Sequence, residues 1–172
     1  MSEISKSDAD ELRGADLADS ASDETVFIEL LFFAYRDFVS DPDALLQEYG
    51  FGRAHHRVVH FVARNPGISV AELLDILQIT KQSLARVLKQ LVETGFVQQQ
   101  QGAQDRRQRL LFTTEKGEAL FDKLREPQSR RIKNALSGLD ARDRAGAERF
   151  LSYLINEDER SMALRLSNAV DR

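Results

Sequence analysis

Cysteine is absent from the 172 residues, so disulfides, thiolate metal sites and cysteine redox switches are excluded. No apolar run approaches the ~18 residues that cross a bilayer, and the acidic N-terminus lacks the basic-then-apolar order of a secretion signal. No membrane partner is therefore expected, and the cytoplasm is the expected compartment. Also missing are a Gly-x-Ser-x-Gly elbow and a glycine-rich loop that could cradle phosphate. The carboxylate pairs Asp41/Asp43 and Asp158/Glu159 lie in polar stretches, poor settings for acid–base chemistry. Neither an enzyme nor a bound cofactor is expected. Only three prolines punctuate the chain.

Charge is present in quantity but unevenly. The net charge is −4, a poor match to a polyanionic partner. Residues 1–24, however, hold eight acidic and two basic side chains, whereas residues 80–133 hold twelve basic and six acidic. A basic patch in an acidic chain suits nucleic acid, because association depends on the field at the contact face. Charge alone is equally compatible with a solvated surface.

The first 24 residues, rich in Asp and Ser, read as a disordered acidic tail. From Thr25 the pattern changes. Val26, Phe27, Ile28, Leu30, Leu31, Phe32, Phe33, Tyr35 and Phe38 are apolar nearly all round a helix, more than one small domain can cover, which points to a second subunit. Ser40-Asp41-Pro42 is expected to break and restart this helix. A second helix is expected over about 53–64, ended by Asn65-Pro66-Gly67. Ser69 and Glu72 have capping-box spacing at the start of a third, with Val70, Leu73, Leu74 and Leu77 inward. In a fourth, over about 80–94, Leu84, Val87, Leu88, Leu91 and Val92 recur at helical spacing, with Thr80 as N-cap and Gly95 as stop. Two β runs, 96–101 and 108–113, form a hairpin with a basic tip. Thr114 caps a long fifth helix, kinked or interrupted near Pro127, and a final helical region follows Asp140 with Ala147, Phe150, Leu151, Leu154 and Ile155 inward.

Helices three and four, joined by a three-residue turn, make a helix-turn-helix whose second member can enter the major groove. Its outer face offers Lys81, Gln82, Ser83, Arg86, Lys89 and Gln90. Gln82 suits an adenine edge, and Arg86 or Lys81 a guanine edge or a phosphate. Arg106, Arg107 and Arg109 at the hairpin suit a narrow minor groove, with Asp105 placed to orient an arginine. An ordinary amphipathic surface helix and a solvated turn would show the same residues singly. Their order along the chain is what favours the binding reading.

The stretches "VAELLDILQITKQSLARVLKQLVETGFV" and "DRRQRLLFTTEKG" carry a family likeness. From Phe51 to Leu120 the chain resembles the MarR-type regulators and, within them, is similar to the PetP-type subgroup of proteobacteria. The resemblance implies a mainly α fold with a small β-hairpin wing, a winged helix-turn-helix flanked by N- and C-terminal dimerisation helices. Residues 25–172 would form a single domain, with 51–117 the DNA-binding region and 25–50 and 118–172 the dimerisation helices. It further implies a homodimeric repressor on palindromic double-stranded DNA, open to control by a small-molecule effector. Arg86 matches the arginine that often pairs with the wing aspartate, here Asp105. Arg107 matches the minor-groove arginine, and Thr80, Lys81, Gln82 and Ser83 match the first turn that approaches bases and phosphates. Gln78 departs from the pattern, standing where many members have glycine in the turn.

The rival readings are a winged helix used for protein contacts and an architectural, nonspecific DNA binder. His55, His56 and His60 cluster early in the second helix, but nearby Asp43 and Glu48 are neighbours only in sequence, so no metal site is expected.

Overall fold

The computed structural model describes the backbone of residues 6–102, 105 and 107–168, and the side-chain surroundings of residues 24–102, 105 and 107–167. Helix α1 spans Lys6–Gln47, α2 Arg53–Arg64, α3 Val70–Leu77 and α4 Lys81–Glu93. Strands β1 (Ile68–Ser69), β2 (Val97–Gln101) and β3 (Arg109–Thr113) form one antiparallel sheet in the order β1-β3-β2, with Gln101 opposite Arg109 and Ile68 opposite Leu111. Helices α5 (Glu115–Ser137), α6 (Ala141–Tyr153) and α7 (Glu157–Asn168) follow. No helix among the described residues is long and apolar enough to cross a membrane.

The mainly α architecture with a hairpin is the expected one, with three corrections. First, the backbone is helical from Lys6, where a tail was expected through Glu24. That stretch has no proline and includes the helix formers Ala, Leu and Glu. Second, Pro42 lies inside α1 without breaking it. A proline in a helix orphans the carbonyl four residues earlier. Here that carbonyl, Phe38 O, accepts from Gln128 Nε2 at 3.5 Å, which offsets the loss. Pro127 likewise sits within an unbroken α5, where its ring is buried. Third, the two residues of β1 add a strand to the hairpin. A run that short has no alternation by which to recognise it.

The core is built where α2, α3, α4, the sheet and the first half of α5 meet, around Val58, Val62, Leu73, Leu84, Leu91, Leu111 and Leu124. Leu46 and Phe51 join α1 and its following turn to this core. The chain divides into two compact units, Met1–Gln128 and Ser129–Arg172, parting the domain expected over 25–172 within α5. The physical reason is that α6 buries none of its residues, so the core does not extend into it. The stripe expected to face inward on α6 is open: Leu151 and Leu154 are exposed, and neighbouring Tyr153 is 69% exposed. On α1, the residues from Val26 to Tyr35 are equally open, Phe32 to 71%.

One close approach governs how α5 meets the sheet. A Cβ added to Gly117 would overlap the Phe96 carbonyl oxygen, which already accepts from Thr114 N–H at 3.1 Å. Gly117→Ala must push α5 away from the end of the α4–β2 connection. We expect a stability loss of about 1–3 kcal/mol, measured by urea unfolding. A variant as stable as the parent would show that the approach is not tight.

Candidate nucleic-acid interface

The helix-turn-helix is held by caps at both of its starts. Ser69 Oγ accepts from Glu72 N–H at 3.2 Å, and the Glu72 carboxylate accepts from Ser69 N–H at 2.9 Å, the reciprocal box read from the spacing. Thr80 Oγ1 accepts from Ser83 N–H at 3.1 Å and donates to Ser83 Oγ at 2.9 Å. Between them Gln78 takes the left-handed conformation at φ 50° that glycine would adopt freely. Its side chain donates to Asp75 O at 2.7 Å, a local bond that helps a non-glycine residue hold this turn. Arg57 reaches from α2 to donate to Leu77 O at 2.7 Å, pinning the end of α3.

Helix α4 is two-faced. Leu84, Val87, Leu88 and Leu91 are buried, and this stripe forces Lys81, Gln82, Arg86 and Lys89 outward, where all four are exposed. Ser83 is half-buried and engaged with Thr80. Gln90, read as part of the outer face, turns away instead: its amide bonds to His55 at 2.9 Å. Lys89 lies 3.8 Å from Glu93, an exposed pair that leaves the amine available to another anion.

The far end of α4 is fastened by the start of α5. Thr114 Oγ1 donates to Gly95 O at 2.6 Å and accepts from Gly117 N–H at 3.1 Å. Lys116 donates to Thr94 O at 2.8 Å while its ammonium stands 4.2 Å from the Phe96 ring centre. A cation beside the last carbonyls of a helix also opposes its negative end.

At the wing, Gln108 N–H donates to Asp105 O at 3.0 Å, and Gly102 N–H donates to Gln108 O at 3.0 Å. The Asp105 carboxylate accepts from the Arg107 backbone N–H at 2.8 Å. Asp105 thus shapes the tip rather than neutralising a guanidinium of α4. Arg86 and Asp105, which the family pattern pairs, are both exposed and share no ion pair here. Arg107 and Arg109 are exposed; Arg106 lies outside the described residues. Between α3, α4 and the hairpin runs an open groove of about 740 Å³. Val70, Leu74, Leu88 and Val92 contribute apolar lining, and Lys81, Lys89 and Arg109 bring three cations to it. Gln99 of β2 joins them there, a residue the sequence reading passed over because a run of four glutamines carries no distinguishing pattern.

The three histidines of α2 do different things. Among the described residues no three His, Asp or Glu side chains gather as metal ligands, and Asp43 is held by Arg53 at 2.8 Å. His55 bonds to the turn before α2 and to Gln90. His60 lies edge-on to Phe61 and tilted against Phe121, and burial, then His56, Arg64 and Arg125, push it down to about 4. Burial lowers His56 as well.

The geometry can be set beside known proteins. A family model described as the MarR family matches residues 49–108. The HTH-type transcriptional regulator PetP of Rhodobacter capsulatus is 43% identical over 129 residues, covering 75% of this chain and 78% of that one. The chain belongs to the MarR family. It is thereby a DNA-binding transcriptional regulator of the winged helix type. Solved structures share the fold at lower identity. A MarR family regulator from Listeria monocytogenes complexed with 26mer DNA aligns with a TM-score of 0.65 and 21% identity, over 84% of this chain and 96% of that one. Streptococcus pneumoniae FabT in complex with DNA aligns with a TM-score of 0.59 and 14% identity, over 80% and 93%.

The histidine shifts have a consequence for this MarR-family chain. Between about pH 4 and 6.5 the unfolded chain protonates His60 and the folded chain does not. Acidification through that window therefore favours unfolding, by about 2 kcal/mol for this residue once its partial exposure is allowed for. His60→Phe should flatten the loss of stability between pH 6.5 and 4.5 in urea titrations. An unchanged pH slope would contradict the assignment.

Proposed function

We propose that this regulator binds palindromic duplex operators as a homodimer, reads them in sequence-specific fashion, and represses transcription by occupying them. The observation that carries the reading is the outward set Lys81, Gln82, Arg86 and Lys89, held rigidly by a buried stripe and flanked by an exposed arginine wing. In this reading residues 51–117 are the DNA-binding region. Thr80, Lys81, Gln82, Ser83, Arg86 and Lys89 meet base edges and phosphates of the major groove. Arg106, Arg107 and Arg109, shaped by Asp105, meet the minor groove and backbone.

The homodimer is supported by the uncovered apolar faces of α1 and α6, since a monomer rarely leaves so many large side chains in water. Residues 25–50 and 118–172 supply the dimerisation helices. A symmetric pair would place two reading helices about one turn of DNA apart. A small-molecule effector would act by favouring one spacing of the two heads over another. Such a regulator works in the cytoplasm.

Two substitutions separate charge attraction from sequence reading. Arg107→Ala should weaken binding to all duplexes and reduce the slope of log affinity against log salt by about 0.9. Gln82→Ala should change the consensus recovered from a random-duplex selection while leaving nonspecific affinity nearly unchanged. An unaltered salt slope together with an unaltered consensus would refute the reading.

A further inference from the structure

Gln90 lies on the reading helix but does not face outward with its neighbours. Its Nε2 donates to Gly50 O at 3.5 Å, which leaves Oε1 toward α2. There it meets His55 Nε2 at 2.9 Å. On the other side of the ring, Gly52 N–H donates to His55 Nδ1 at 3.1 Å. The two bonds require one tautomer: Nδ1 accepts, so Nε2 carries the hydrogen and donates to Gln90. The ring stacks on Phe51, with centres 4.7 Å apart and planes 5° from parallel. Phe51 packs edge-on against Phe96 at 5.2 Å, immediately beyond α4.

The turn 48–52 between α1 and α2 is therefore fastened to α4 by two routes, one polar through His55 and Gln90, one aromatic through Phe51 and Phe96. Gly50 sits at φ 66° in this turn, so its carbonyl direction depends on a conformation that few residues adopt. The polar route is the directional one. A stack tolerates sliding, whereas two hydrogen bonds to opposite edges of one ring fix both its position and its rotation.

Resting on the regulator reading above, we propose that His55 and Gln90 are positioning residues for sequence discrimination. They set the rotation of α4 against the α1–α2 turn and touch no DNA. A small rotation of the helix misaligns directional hydrogen bonds to base edges, whereas charge attraction to phosphates varies slowly with displacement and carries no sequence information. Loss of the link should thus lower operator affinity while sparing nonspecific affinity. It should also make the losses at the two residues overlap, because the bond between them is the link they share.

The test uses the full-length protein and an operator selected from random duplex by the parent. His55→Phe keeps the stack and removes both ring bonds; Gln90→Met keeps the length and removes the amide. Each should lose about three- to tenfold in operator affinity, with affinity for a scrambled duplex changed by less than about twofold. The double variant should bind no more weakly than the weaker single one. Equal losses on operator and scrambled duplex, additive losses, or no loss at all would overturn the proposal. Should either variant fail to fold, nitrogen NMR of the parent decides: the Nε2–H tautomer of His55 supports the link, and Nδ1–H overturns it. A parent that selects no sequence would instead overturn the regulator reading, and the positioning role with it.

Discussion

The buried stripe of α4 is the constraint on which the rest depends. Leu84, Val87, Leu88 and Leu91 can leave water only by facing α2 and the sheet within the shared core, and that choice alone decides which side chains face out. Burying a leucine or valine contributes about 1.5–3 kcal/mol, so the stripe outweighs the preferences of the polar residues opposite it. The caps at Ser69 and Thr80, the Lys116 clamp at Thr94 and the Gly117 close approach then fix where the helix starts, ends and sits. Rigidity matters because base edges are read by directional hydrogen bonds, whereas phosphate contacts carry no sequence information.

Electrostatics enters after packing. The chain is acidic overall, yet Lys81, Lys89 and Arg109 converge on one groove beside the outer face of α4, and Arg107 stands exposed at the wing. Asp105 does not line that groove, and its carboxylate accepts from the Arg107 backbone N–H at the wing tip. Glu93 lines the same groove beside Lys89, so the cations there outnumber the anion three to one, and a net positive face on an acidic body directs approach to that face.

Much of this was legible in the residues. The spacing of five apolar side chains from Leu84 to Val92 identified α4, and the Ser69/Glu72 pair identified the start of α3. What escaped depended on partners far away in the chain. Pro42 reads locally as a break, and the donor that reaches the carbonyl it orphans comes from Gln128, distant in sequence. Gln90 falls at the margin of the apolar stripe, where periodicity is ambiguous, and His55 decides the matter across 35 residues. The two-residue β1 has no period at all. The Arg86–Asp105 pairing came from family likeness, and here the aspartate finds a nearer donor in the Arg107 backbone.

The central claim is that the outer face of α4 lies in the major groove of DNA. Because the chain has no cysteine, a single one introduced at exposed Ala85 can carry an iron chelate that cleaves nearby DNA. On a selected operator the account predicts two clusters of cuts, related by two-fold symmetry and facing the major groove. Cuts spread evenly along the duplex, or none from a label on a bound protein, would contradict it.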